Sequence, residues 1–358
     1  MDQREITVTV WLSTYNQAPY VREALDSILM QKCDFRYELI AADDASTDGT
    51  QDIIREYAEK YPDIVKCFFT DHNVGGCQKL VNCIDGGLFR GRYLAYLEGD
   101  DYWIGEDRLQ VLVDFLEQHP EYSRVSHKRQ IVNDSGEFLG YDVDEKVLGK
   151  PFGINDFLEG KKYSDFGSVF RNYFKGCAGK YDELFLASRN VCDFQSMFIT
   201  QDHGPVFIMD ECFGAYRTQQ AAGASNYNSI TSLTSRAIDH IGIARAVERF
   251  YNGKYDLSPF VRRMQKRLLE SATESGSAEK LASYKKLIPV KDMRAILPEI
   301  LYCLYRGHKK DNVTFLKSGL TKEEKRFYRL RLSAYSVKRL FKKLLRIKEN
   351  EKIIGYMR

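Results

Sequence analysis

The chain has 358 residues, with 53 Lys and Arg against 50 Asp and Glu, 44% hydrophobic and 13% aromatic side chains, and only 8 prolines. This suits about two domains with ample cores and excludes a disordered chain, a coiled coil and a small disulfide scaffold. Charge is uneven: Lys322 to Arg358 holds 13 Lys and Arg against 4 Glu, leaving a net −6 on the preceding 321 residues, an acidic body with a basic tail that argues against a nucleic-acid binder. No apolar run approaches the ~18 residues that cross a bilayer. The start Met1-Asp2-Gln3-Arg4-Glu5 lacks the order of a signal peptide, and the eight cysteines show no C-x-x-C spacing. A soluble intracellular protein with reduced thiols is expected.

Ile6–Leu12 reads as a strand running into Ser13-Thr14-Tyr15-Asn16, and a helix follows with Val21, Leu25, Ile28 and Leu29 on one face. A second apolar run, Leu39–Ala42, ends in Asp43-Asp44-Ala45-Ser46-Thr47-Asp48-Gly49-Thr50, before a helix bearing Ile53, Ile54, Tyr57 and Ala58. A third strand, Val65–Phe69, leads to Asn73-Val74-Gly75-Gly76 and a helix through Leu80, Val81 and Ile84. A fourth, Tyr93–Leu97, stops at Glu98-Gly99-Asp100-Asp101. This alternation predicts an α/β fold with a doubly wound, mostly parallel sheet, whose ligands sit at the carboxyl ends of the strands. Each of those ends carries Ser, Asn, Asp or Gly, so four polar clusters are expected around one crevice.

Candidate strands continue at Val125–Val132, Ser168–Phe174, Val206–Met209 and Phe213–Thr218, with a helix near 193–201. From about 230 the pattern is helical: Ile238, Ile241, Ala244, Val247 and Phe250 are spaced for one buried face, and further helices are expected around 258–272, 278–288, 291–306 and 322–348. The expected domains are 1–225, with a donor half to about 120 and an acceptor half to 225, and a helical region 226–358.

Asp100 and Asp101, two residues past Glu98, place like charges at the end of a buried strand, which calls for a cation. Carboxylates without His or Cys suit Mg²⁺ or Mn²⁺, which can bridge a diphosphate; the bland reading is a surface turn. Asp44 at its strand end can accept an N–H from a base or a ribose hydroxyl, or can cap the next helix, although Asp48 or Ser46 would serve there. Asn73-Val74-Gly75-Gly76 offers glycine backbone to a phosphate or ribose, or is a plain turn. The six histidines form no metal spacing, no phosphate-loop or nucleophile-elbow motif occurs, and Trp11 and Trp103 read as packing residues.

Taken in order, S-T-Y-N, D-D-A-S-T-D-G-T, N-V-G-G and Y-L-E-G-D-D-Y-W resemble glycosyltransferase family 2, inverting enzymes of the GT-A fold, over roughly residues 6–220. Asp107-Arg108-Leu109-Gln110 and His119-Pro120-Glu121 resemble members that build bacterial surface polysaccharides such as capsule; Val169–Asn172, Cys192-Asp193-Phe194 and Ala215-Tyr216-Arg217 resemble their acceptor half. The resemblance implies that Ser13, Thr14 and Tyr15 line the nucleotide and that Asp44 accepts the N3–H of a uracil or thymine ring. Glu98, Asp100 and Asp101 would occupy the acidic motif, with Asp101 as metal ligand and Asp100 toward the sugar and ribose. Lys79 would meet the donor and Arg217 would steady its diphosphate. Inversion in one displacement needs a base for the acceptor hydroxyl, and the match is Asp193, with Asp202 and Asp165 in reserve. Its neighbour is Cys192 where the family has Glu, and the alternative for Asp193 is a helix cap.

The tail Lys338–Lys348 places Leu340, Phe341, Leu344 and Leu345 on one helix side with cations elsewhere, which reads either as a membrane-surface element or as a helix docked on the catalytic domain. The expected activity is transfer of a sugar from a nucleotide-diphosphate donor, UDP favoured, to a glycan or lipid-linked glycan, with Mn²⁺ or Mg²⁺ as cofactor. Cytoplasmic placement follows, with peripheral contact at the inner face of the plasma membrane. A sugar-nucleotide nucleotidyltransferase and a degenerate glycan- or nucleotide-binding module are the alternatives.

Overall fold

The computed structural model describes residues 5–142, 144–161, 167–218, 232–306 and 310–325. The chain divides into two compact units between Leu257 and Ser258.

The first unit is built on strands β1 (Ile6–Thr14), β2 (Arg36–Asp43), β3 (Val65–Phe69) and β4 (Tyr93–Glu98), which pair parallel in the order β3-β2-β1-β4. Helices α1 (Val21–Leu29), α2 (Thr50–Lys60) and α3 (Gly76–Asp85) make the crossovers. The sheet is covered on both faces, so β1 and β2 bury nearly every residue from Val8 to Thr14 and from Glu38 to Asp43. Because the chain moves outward from β1 through β2 to β3 and returns to β4 on the other side, the switch in winding falls between β1 and β4. There Ser13 of β1 stands in register with Glu98 of β4, and on the other side of β1 Thr14 stands in register with Asp43 of β2.

Beyond β4 the sheet turns mixed. The short β9 (Val169–Arg171) runs antiparallel to both β4 and β6 (Arg124–Val132), β10 (Val206–Arg217) lies parallel to β6, and β5 (Tyr102–Trp103) closes the order antiparallel to β10. The two runs expected at 206–209 and 213–218 are one strand, continuous through irregularities at Met209–Cys212 and Cys212–Gly214 that leave Asp210 and Glu211 in solvent. Between them, β7 (Phe138–Tyr141) pairs with β6 and β8 (Lys150–Phe152) with β10; neither was legible as a strand. Helices α4 (Arg108–Gln118), α5 (Ile154–Leu158), α6 (Asp182–Phe185) and α7 (Asp193–Gln201) complete this part. The main core joins Val8, Val10 and Leu12 to Leu25 and Ile28 of α1, Ile54 of α2 and Leu109, Leu112 and Leu116 of α4. Trp11 and Trp103 are both buried.

Helix α8 (Leu233–Phe250) belongs to this first unit, which differs from the boundary expected at residue 225: it packs on α6 and α7. Its buried residues include Ile241, Ile243, Ala244 and Val247, whereas Ile238, expected on the same face, is exposed. The second unit holds α9 (Ser258–Ser275), α10 (Ala278–Lys286), α11 (Val290–Arg306) and α12 (Lys310–Ser318) around Leu269, Leu281, Leu297, Ile300 and Leu316. Among the described residues no helix is long and apolar enough to cross a membrane. The tail 338–348 and Asp165 lie outside the described residues.

Candidate active site

The loops after β1 and β2 are hydrogen-bonded into one rim. Asn16 donates its N–H to Ser46 Oγ (2.8 Å) and accepts the Thr47 N–H on Oδ1 (2.9 Å), while the Gln17 N–H reaches Thr50 Oγ1 (2.9 Å). Asn16 and Ala45 hold positive φ, 51° and 59°, conformations costly to residues with a side chain, and the rim hydrogen bonds keep them there. Asp43 anchors the rim from below: its carboxylate accepts from Ser46 N–H and Gln51 Nε2 (both 2.8 Å), from Ser46 Oγ and from Thr14 Oγ1 (2.7 Å). Ser13 and Thr14 are buried at the end of β1, whereas the Tyr15 ring is 40% exposed at the crevice edge, suited to stacking on a flat ligand.

Asp44 is buried, and its carboxylate gathers the next loop. Oδ1 accepts from Val74 N–H (2.8 Å) and Thr70 Oγ1 (3.0 Å), and Oδ2 from Gly75 N–H (2.8 Å). Oδ2 therefore keeps one lone pair for a further donor. The helix-start role falls to Asp48, which accepts from Thr50 N–H (3.0 Å) and Oγ1 (2.6 Å). Asn73–Gly76 is not an open phosphate cradle: Val74 and Gly75 give their N–H groups to Asp44, Gly76 to Asn190 Oδ1 and Cys77 to the Arg189 carbonyl.

The acidic motif is a turn, closed by Asp101 N–H on the Glu98 carbonyl (3.1 Å), but its aspartates are not at the surface: Asp100 and Asp101 are each 1% exposed. Asp100 Oδ1 accepts from Gln17 Nε2 (2.9 Å), and Asp101 Oδ1 accepts the backbone N–H of Arg217 (2.7 Å). Asp101 Oδ2 is buried and has no hydrogen-bond partner among the described residues. Burial, then the Asp100 charge, pushes the Asp101 carboxyl well above the carboxylate range, against the pull of the Arg217 N–H. Glu98 opens onto the crevice, yet the protein around it strips water and pushes its carboxyl up to about 7; Asp100 and Asp193 add repulsion, while Lys79 and Ser13 oppose it. An orphaned hard oxygen in an over-acidic pocket fits a divalent cation. Among the described residues no three of His, Cys, Asp and Glu converge as a complete ligand set, so Asp101, with Asp100 beside it, would share such an ion with ligand oxygens.

Two cations predicted to face the donor are structural. Lys79 is buried under the crevice, donating to the Thr14 carbonyl (2.9 Å). Burial lowers its pKa while Glu98, Asp44 and Asp43 pull it back up, which makes it a counter-charge to the acidic floor. Arg217, 2% exposed, spends its guanidinium on the carbonyls of Asp100 (2.9 Å), Asn133 (3.1 Å) and Asp134 (2.9 Å) and on Glu23. Four of its five N–H groups are used, so the expected diphosphate clamp is corrected to a strut between the acidic turn, α1 and the β6–β7 hairpin. Gln17 and Arg189 carried no periodic or motif signal in the sequence, and Asp43, the first Asp of D-D-A-S-T-D-G-T, was given no role of its own there.

Asp193 is the first residue of α7 and exposed; among the described residues its Oδ1 accepts only the Phe194 N–H (2.8 Å), and its charge reaches Glu98. Asp202, at the other end of α7, is paired with Lys254 and Tyr255, so it is removed as a reserve base. The structure thus brings Asp44, the Glu98–Asp101 turn and Asp193 to the same end of the sheet.

Residues 9–175 match the model of Glycosyl transferase family 2. The protein Rv1520 of Mycobacterium tuberculosis, uncharacterized by name, is 40% identical over 123 residues, 34% of this chain and 35% of its own. EpsE of Bacillus subtilis, named as a glycosyltransferase, is 35% identical over 129 residues (36% and 45%), and TuaG of the same organism, named for teichuronic acid biosynthesis, is 32% identical over 109 residues (30% and 41%). The matched part spans less than half the length of each of these relatives. Residues 1–349 of TarS from S. aureus, solved in complex with UDP-GlcNAc, superpose with a TM-score of 0.58 over 87% of this chain and 91% of theirs at 16% identity, a likeness of fold.

Proposed function

From a chain whose residues 9–175 match the model of Glycosyl transferase family 2, we propose an inverting sugar transferase that takes its sugar from a nucleoside-diphosphate donor. The observation that carries this is the convergence of Asp44, the Glu98–Asp101 turn and Asp193 at one crevice, with Asp101 Oδ2 left without a partner among the described residues. Asp44 Oδ2 accepts the ring N–H of a pyrimidine, and Tyr15 stacks against it. TarS, which shares the fold, binds UDP-GlcNAc, and this supports UDP as carrier.

Asp193, at the start of α7, takes the proton of the acceptor hydroxyl. That oxygen forms its bond to the anomeric carbon as the bond to the diphosphate breaks, the electron pair leaving with the phosphate oxygen. A Mn²⁺ or Mg²⁺ ion held by Asp101 beside Asp100 would supply positive charge to the departing diphosphate. Arg217 and Gln17 hold the two aspartates in place, and Lys79 offsets the charge beneath them. The acceptor is a hydroxyl of a glycan or lipid-linked glycan in surface polysaccharide synthesis, in line with the names of EpsE and TuaG. The basic segment 338–348 is the proposed contact with the membrane surface.

Incubation with UDP-, dTDP- and GDP-sugars, with and without Mn²⁺, tests the reading. Nucleoside diphosphate release that falls at least about 10²-fold in Asp193→Ala and Asp101→Asn, and persists in Asp202→Asn, is expected. Pyrophosphate release would replace it with a nucleotidyltransferase, and turnover surviving in both site variants would sink the site.

A further inference from the structure

The two halves of the crevice are tied together, and the tie ends next to the candidate base. Cys77 N–H donates to the Arg189 carbonyl (3.0 Å), Gly76 N–H to Asn190 Oδ1 (3.4 Å), and Arg189 Nη2 reaches back to the Asn73 carbonyl (2.9 Å) and its Oδ1. Cys77 lies close enough to Cys192 to push its thiol up, together with burial. The approach is close enough to exclude a side chain at Gly75: its φ is +94°, and a Cβ there would lie 2.6 Å from Arg189 Cγ and 2.7 Å from the Arg189 carbonyl oxygen. From the donor side, Asp44 holds the same loop through Val74 and Gly75. A continuous path therefore runs from Asp44 through 73–77 and 189–192 to Asp193. Asp193 itself is exposed and among the described residues accepts only its neighbour's N–H, so its place follows the loop before it.

We infer that Arg189 is a positioning residue: it clamps the loop before α7 onto the Asn73–Cys77 loop and so sets Asp193 against the donor. The inference rests on the proposed transferase reading. Arg189 is exposed and its contacts compete with water, so it contributes little to global stability. Its removal should act through geometry, to which a displacement of about 1 Å brings losses on the order of 10² in rate.

In Arg189→Ala, kcat should fall about 10- to 100-fold, with donor Kd and the urea midpoint unchanged and amide hydrogen exchange across 189–195 faster by about tenfold or more. Arg189→Lys, which keeps a single cationic contact, should recover part of kcat. Gly75→Ala, which forces the loops apart with Arg189 intact, should reproduce the kcat loss. Unchanged exchange over 189–195 in Arg189→Ala would overturn the clamp whatever the activity. A parallel loss of donor affinity would also overturn it, making Arg189 a donor ligand. Absence of sugar transfer by the wild-type chain would fail the transferase reading instead, and the exchange measurement stands apart from that.

Discussion

Removing the Arg217 side chain is the sharpest test of how the acidic turn is held. In Arg217→Ala the carbonyl of Asp100 loses its charge-assisted donor where water has poor access, which costs about 1–3 kcal/mol. The carbonyls of Asn133 and Asp134 lie in part-buried surroundings and can recruit water, adding about 0.5–1 kcal/mol each. Glu23 is half exposed, and its pair adds no more than about 1 kcal/mol. The sum, about 2–6 kcal/mol, brackets the usual cost of about 3–5 kcal/mol for breaking a buried ion pair from one side. Both tryptophans of the chain, Trp11 and Trp103, lie in the first unit, so urea unfolding followed by tryptophan fluorescence reads that unit without signal from the C-terminal helices. Arg217→Lys, which cannot fork to three carbonyls, should lose about half as much. An alanine variant within about 1 kcal/mol of wild type would refute the strut.

Arg108 makes the opposite prediction. It is 0% exposed, stacked on Trp103 (3.9 Å to the ring centroid), and among the described residues none of its three guanidinium nitrogens has a hydrogen-bond partner. Arg108→Met keeps the packing, removes an uncompensated buried cation and forfeits a stacking contact, so the urea midpoint should rise, by about 1–2 kcal/mol in stability; a loss above about 1 kcal/mol would show that the cation serves a partner. His127 sets an acid limit. Burial, then the charge of Arg108, holds its imidazole down to about 3, against about 6.5 in the unfolded chain. The neutral ring is favoured in the fold, so its contribution is complete above about pH 6.5 and drains as pH falls toward 3, at no more than about 1.4 kcal/mol per unit. Urea titrations at pH 7, 6, 5 and 4 should show a steeper decline for wild type than for His127→Gln; parallel curves would refute the assignment.

The first half of the fold was legible because its signals are local. Strand and helix periods at Ile6–Leu12, Val65–Phe69 and Tyr93–Leu97, each followed by a polar turn, report one segment at a time, and a parallel sheet places such turns at one edge. Asp44, Asp101 and Asp193 were singled out the same way, as side chains at the ends of elements. The β7 and β8 strands were not, since four and three residues at the sheet margin carry too little pattern to separate from loop.

What no local pattern states is where a side chain's partners come from. Lys79 and Arg217 look like donor-facing cations in sequence, yet Lys79 bonds a carbonyl 65 residues away and Arg217 bonds groups 83 to 194 residues away. Burial by those distant segments turns each from a ligand contact into a support. The clamp between Asn73–Cys77 and Arg189–Cys192 is of the same kind, made across more than 110 residues of chain. The sequence by itself determined which residue types stand at the ends of strands, because hydrophobic periodicity and turn chemistry act over a few neighbours. Only the tertiary structure decided which charges face the crevice and which lie beneath it, because desolvation and hydrogen-bond saturation depend on the chain packed around them.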